Sequence, residues 1–173
     1  KVKYLQPADA LAAFTSGKVD AWAVWDPYTS QILQAKQGRV LTTGDGVTNG
    51  LTFQVAAPSA LKDKKKAAAI ADYLERLRRA YKWVYSHEPE WAKVWAKETG
   101  LPEEVALAAV KRTYTTRVAV AVDRQLIASE QQIADTFTEL KLIPGKVDFG
   151  KFVDTRFNGD LPASVSAPRP SED

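Results

Sequence analysis

The sequence contains no cysteine, one histidine and no long apolar run. Without Cys there is no disulfide framework and no thiolate metal or redox centre. A single histidine, His87, makes a His-rich metal site impossible. No Ser or carboxylate is placed by sequence to activate it, so a Ser-His-Asp mechanism has no support. No stretch approaches the ~18 consecutive apolar residues of a membrane-spanning helix. Phosphate-cradling glycine loops are missing too: Gly44, Gly46 and Gly50 do not have the dinucleotide spacing, and no helix clearly follows them. No pair of carboxylates stands out as acid and base. The chain is therefore expected not to be an enzyme and to need no cofactor or metal.

What is present is ordinary globular composition, 45% hydrophobic and 26% charged over 173 residues. Length allows one domain or two small ones. Net charge is +3, from 24 basic and 21 acidic residues, too small a surplus to demand nucleic acid. The surplus is uneven, with nine Lys or Arg against five Asp or Glu from Lys62 to Lys93. Such a run reads as a solvated helix face. The chain opens on Lys1 rather than Met, and Val2–Tyr4 already alternates like a strand. This abrupt start reads as that of a fragment or a processed remainder of a longer chain.

Strand and helix signals alternate up to about residue 60. Pro7, Leu11 and Phe14 predict a short helix over Ala8–Ser16, closed by Gly17. Ala21–Trp25 is apolar without alternation, as in a strand buried on both faces of a parallel sheet. Asp26 and Pro27 predict a helix N-cap and first residue, with the helix ending at Gly38. Arg39–Thr42 and Leu51–Ala57 read as further strands around a Gly-rich loop. The rhythm predicts an α/β fold, helix-rich after residue 60. Lys62–Ser86 carries Ile70, Leu74, Leu77, Tyr81 and Val84 on one helical face, with Arg76, Arg79 and Lys82 away from it. Helices starting at Pro89 and Pro102 follow, the first stopped by Gly100. Thr116–Val122 reads as extended, and Asp123 caps a helix that includes Ile127, Ile133 and Phe137. From Ala163 a Ser/Pro-rich, disordered tail is expected.

The most informative segment is Trp22-Ala-Val-Trp25-Asp26-Pro27-Tyr28. In open α/β sheets ligands collect outside the carboxyl ends of strands, and a helix N-terminus favours anions. Pro27 has no amide, so the expected donors are the amides of Tyr28 and Thr29 and the hydroxyls of Thr29 and Ser30. Trp22 and Trp25 point to opposite faces of a strand, so at most one lines a given pocket. On the functional reading one of the two lines a ligand cleft at the end of the strand. The alternative is that both indoles are core and Asp26 is only a cap. His87, between two helices, reads as a surface histidine near a helix C-terminus. The Pro89–Thr116 pair has helix-turn-helix form, but its second helix opens with Glu103 and Glu104, which phosphates repel.

Pro7 to Tyr28, with its ADA…AF…G.VDAW..WDPY pattern, resembles the aliphatic-sulfonate-binding proteins of ABC importers. These belong to a wider sulfonate, taurine and nitrate receptor group. Arg39-Val-Leu41, Val55-Ala-Ala57, Glu90-Trp-Ala92, Thr99-Gly-Leu-Pro102, Gln131–Phe137, Leu142-Ile-Pro144 and Val147-Asp148 carry the resemblance onward, from residue 2 to about 150. It implies the C-terminal half of a periplasmic-binding-protein type II fold. On it, residues 1–45 are the end of the second lobe. Residues 46–162 are the return crossover and the C-terminal part of the first lobe with its helices, and residues 163–173 are tail.

The resemblance also implies a receptor that binds alkanesulfonates, taurine or a similar small anion and delivers it to an ABC permease. Trp25, Asp26, Tyr28 and Thr29 are its implied ligand-binding residues. Asp26 is either a cap or, in a taurine-like relative, the partner of an ammonium. Such a receptor is periplasmic or extracytoplasmic, binds no nucleic acid, and meets the membrane only through the permease or a lipid anchor. Two other functions share the fold: the effector domain of a transcription regulator, and a thiamine-pyrimidine synthase, whose dependence on Cys this sequence does not meet.

Overall fold

The computed structural model describes residues 1–114 and 117–164. Seven α-helices lie among them: α1 (Pro7–Thr15), α2 (Tyr28–Gln34), α3 (Pro58–Lys62), α4 (Lys64–Val84), α5 (Glu88–Thr99), α6 (Glu103–Thr113) and α7 (Arg124–Glu139). Short 3-10 turns follow at Phe149–Phe152 and Thr155–Phe157.

The helix ends follow local chemistry. Pro7 and Pro58 open α1 and α3, where a missing amide costs no helical hydrogen bond. Gly17 closes α1 at φ 71°, and the Gly17 and Lys18 amides donate to the Phe14 and Ala13 carbonyls. Gly100 ends α5 in the same left-handed region. Asp63 caps α4, accepting from the Lys65 and Lys66 amides at 2.9 and 3.1 Å. This cap divides the expected Lys62–Ser86 helix, so α4 runs from Lys64 to Val84. Along it Ile70, Leu74, Leu77 and Tyr81 are half-buried and Val84 buried, while Arg76, Arg79 and Lys82 are exposed. The apolar stripe is thus where its spacing put it.

Two expectations about α2 are corrected. Its N-cap is Pro27 rather than Asp26, and it ends at Gln34 rather than Gly38. The Asp26–Pro27 peptide is cis. At the far end Lys36 turns left-handed, φ 54°, and the Gln37 amide closes onto the Ile32 carbonyl at 3.0 Å.

The strand expectations are corrected as well. Ala21–Trp25, Arg39–Thr42, Leu51–Ala57 and 117–122 form no ladder among the described residues, and Thr116 lies outside them. A parallel strand takes its hydrogen bonds from neighbours remote in sequence, so an apolar run alone cannot make one. Exposure goes with the missing neighbours: Trp25, Leu41 and Val55 are all exposed.

The chain divides into two compact units, each described by itself. The first comprises Lys1–Thr42 and Tyr81–Arg117. Its core lies where α5 packs on α6: Val84, Ala92, Ala106 and Val110 are buried beneath Trp91, Trp95, Leu107 and Tyr114. Arg117 stacks over the Tyr114 ring at 4.7 Å and donates to the Tyr81 hydroxyl at 3.3 Å. The second unit comprises Thr43–Ala80 and the chain from Val118. There Gln131 of α7 donates to the Val147 carbonyl at 2.7 Å and accepts the Phe149 amide at 2.8 Å. Phe149 meets Phe53 at 5.7 Å between ring centres.

Asp123 caps α7 as the sequence predicts, accepting from Gln125 and Leu126. It also accepts the Ser164 amide and hydroxyl, each at 2.8 Å. Ser164, expected in a disordered tail, is therefore tied to the α7 N-terminus. Residues 165–173 of that expected tail lie outside the described residues.

Candidate functional site

The turn from Trp22 to Ser30 in the first unit gathers the residues singled out by sequence. Trp22 is half-buried between Phe14 at 6.1 Å and Tyr28 at 5.7 Å, a tilted aromatic row joining α1 to α2. Three residues on, Trp25 is 67% exposed. Its indole presents apolar surface to solvent, whereas Trp22 serves packing.

Asp26 lies between these aromatics and the helix, with its side chain only 3% exposed. Its Oδ1 accepts the Ser30 amide at 2.9 Å and the Ser30 hydroxyl at 2.5 Å. The Nε of Arg112 approaches Oδ2 at 3.2 Å. Ser30 is buried, 1% exposed, so this carboxylate satisfies a hydroxyl that water cannot reach. Asp26 thus acts as a cap from one residue before the N-cap position. Thr29 and Tyr28 are half-buried, and the Thr29 hydroxyl donates to the Val24 carbonyl at 3.4 Å. Of the four expected anion donors, the Ser30 and Thr29 hydroxyls already have acceptors within the protein.

Arg112 was not foreseen as part of this turn. Its position in the last turn of α6 is explained locally by the helix dipole. Nothing in the sequence links it to Asp26, because the link depends on α6 packing against α2.

His87 is the N-cap residue of α5 and is stacked on Trp83 at 4.4 Å. Its Nδ1 lies 2.9 Å from both the Ser86 hydroxyl and the Trp83 carbonyl. The helix-turn-helix form is present as α5 and α6, and Glu103 and Glu104 are exposed at its second helix. Among the described residues no group of three or more His, Asp or Glu is placed to hold a metal ion. No helix among them is long and apolar enough to cross a membrane. In the second unit, backbone amides of Leu126 and Ser164 hold the Asp123 carboxyl down at about 2. The Arg156 guanidinium lowers Asp154.

The model of the NMT1-like family matches residues 1–100. Over 146 residues the chain is 38% identical to the "Putative aliphatic sulfonates-binding protein" of Escherichia coli (strain K12), a match covering 84% of this chain and 44% of that one. A protein of the same name from Bacillus subtilis (strain 168) is 26% identical over 156 residues, covering 88% of this chain and 45% of the relative. The chain thus spans under half the length of these two relatives. Among solved structures, the alkanesulfonate-binding protein SsuA from Xanthomonas axonopodis pv. citri, bound to MOPS, superposes with a TM-score of 0.72 at 29% identity. That match covers 88% of this chain and 52% of the other. The fold is accordingly a partial periplasmic-binding-protein type II fold, as the sequence resemblance implied.

Proposed function

The chain belongs to the NMT1-like family, and from this premise we propose that it acts as a solute receptor for alkanesulfonates or a closely related small anion, handing them to an ABC permease. The relatives it matches are named as binding proteins, which favours a receptor over an enzyme. Its place of action in this proposal is periplasmic or extracytoplasmic.

The observation that carries the reading is the contrast between Trp25 and its neighbours. An exposed indole stands on a turn whose next residue has a buried, hydrogen-bonded and ion-paired side chain. A large apolar ring on a fixed turn offers an alkyl chain surface to cover, at roughly 25 cal/mol per Å² removed from water. Tyr28 and Thr29 complete the ligand-facing set in this proposal. Asp26 is better supported as the anchor of the turn than as the partner of a ligand ammonium, since both its oxygens are engaged within the protein.

Calorimetric titration with ethanesulfonate, butanesulfonate, taurine and nitrate tests the proposal. Affinity should rise by at most about 0.8 kcal/mol for each added methylene until the apolar surface is covered. Taurine should bind less well than ethanesulfonate, because its ammonium would go unpaired beside the engaged Asp26. Nitrate binding tighter than every sulfonate, or no response to chain length, would overturn it.

A further inference from the structure

We infer that Arg112 is a positioning residue for ligand binding. It neutralises the buried Asp26 carboxylate behind Trp25, and so keeps the turn both fixed and approachable by an anion. The inference deepens the proposed sulfonate-facing role of this turn and rests on it. Asp26 directly follows the exposed Trp25, and its side chain is almost wholly buried. Its other partners, the Ser30 amide and hydroxyl, are neutral donors. Among its contacts in the described residues, Arg112 alone brings a positive charge, reaching from α6 to the turn before α2. The guanidinium remains 45% exposed, so it lies at the edge of the turn rather than sealed beneath it.

Two consequences follow from removing that charge. A buried carboxylate without a counter-ion is unfavourable, and the turn must rearrange to hydrate it. If the turn did hold, the carboxylate would repel a sulfonate brought against Trp25. An asparagine at position 26 would still accept from Ser30 but carry no charge, so it should relieve both effects. Lysine at position 112 restores the charge without the planar fork and should relieve them in part.

The test compares Arg112→Gln, Arg112→Lys and the double variant Asp26→Asn with Arg112→Gln. Amide hydrogen exchange at Ser30 is read in the ligand-free chain, with the Leu126 amide at the start of α7 as internal control. In R112Q the Ser30 amide should exchange at least about tenfold faster while Leu126 is unchanged, the double variant should lie close to wild type, and R112K should fall between wild type and R112Q. Unchanged exchange at Ser30, equal acceleration at Leu126, or no recovery in the double variant would overturn the inference. Titration with ethanesulfonate gives the second readout. R112Q should lose about tenfold or more in affinity, and the double variant should return to within roughly threefold of wild type. R112Q binding ethanesulfonate as wild type does would also overturn it. If the wild-type chain binds no ethanesulfonate, the receptor proposal fails, while the exchange at Ser30 still decides whether Arg112 holds the turn.

Discussion

Asn158 pairs with Val122 in both directions: its side-chain carbonyl accepts the Val122 amide at 2.9 Å and its NH2 donates to the Val122 carbonyl at 3.2 Å. This is the two-way exchange that a residue on a neighbouring strand would make. One position earlier, the Ala121 amide donates to the Pro162 carbonyl at 2.8 Å. An extended segment outside any ladder thereby meets the requirement that part-buried backbone groups find partners.

Asn158→Ala leaves both Val122 groups without that partner and should cost about 1–3 kcal/mol, measured by urea unfolding. Asn158→Asp keeps an acceptor for the Val122 amide but loses the donor, so its cost should be the smaller. An alanine variant as stable as wild type would show that water replaces the side chain fully.

Asp123 predicts a pH dependence whose sign is fixed. Its carboxyl is lowered from 3.8 to about 2 by hydrogen bonds from Leu126, Ser164 and Gln125, so the folded state favours the ionised form. The stabilisation is fully present above the unfolded value and is lost as pH falls through about 2. Melting temperatures of wild type and Asp123→Asn should therefore differ at pH 6 and converge between pH 4 and pH 2. A constant difference across that range would contradict the linkage.

Lys36 occupies a left-handed backbone position, φ 54°, at the end of α2. An L side chain there costs ~1–2 kcal/mol, and glycine gives back about 0.5–1 of that through its freer unfolded chain. Lys36→Gly should raise stability by up to about 1 kcal/mol in denaturant melts. Gly100→Ala, at φ 72°, should lower it by a similar amount, and equal effects of one sign would contradict the argument.

Trp22 and Trp25 should separate stability from binding. Trp22→Ala removes the ring between Phe14 and Tyr28 and should cost about 2–4 kcal/mol. Trp25→Ala, at an exposed ring, should change stability by no more than about 0.5 kcal/mol. If the proposed function holds, Trp25→Ala also flattens the dependence of affinity on alkyl length. The reverse pattern in either variant would reassign the two indoles.

Gly38 illustrates a constraint that local sequence rules miss. It reads as a helix stop, yet α2 has already ended at Gln34. A Cβ on Gly38 would sit 2.8 Å from Ile32 Cγ2 and 3.1 Å from Phe14 Cζ. Gly38→Ala should cost about 1–3 kcal/mol by overpacking, and Ile32→Ala in the same chain should relieve part of the clash. Additive costs in the double variant would contradict that account.

Features set within a few residues were legible in the sequence. The stripe on α4, the Asp123 cap, the Gly17 and Gly100 stops and the opening at Pro7 all depend on neighbours one to four positions away. Features that need a remote partner were not. Ala21–Trp25 has strand composition, but composition does not supply the adjacent strand. The role of Asp26 was half legible: its place before Pro27 signalled a cap, while the ion pair required knowing that α6 lies on α2. Ser164 sat in a Ser/Pro-rich stretch that reads as tail, and only its two hydrogen bonds to Asp123 distinguish it from one.

The alanines at the α5–α6 contact limit how far the sequence can drift. Ala92 and Ala106 are closed to solvent at the centre of the first unit's core, ringed by Trp91, Trp95 and Tyr114. Every replacement but glycine adds atoms where two helix backbones already meet, and glycine loosens both helices. Random mutation followed by selection for folded protein should leave these two codons nearly unchanged. Codons for the outward face of α4 should meanwhile accumulate change freely. The chain's room for evolutionary variation is then concentrated in its long basic helix and nearly absent where its smallest side chains touch.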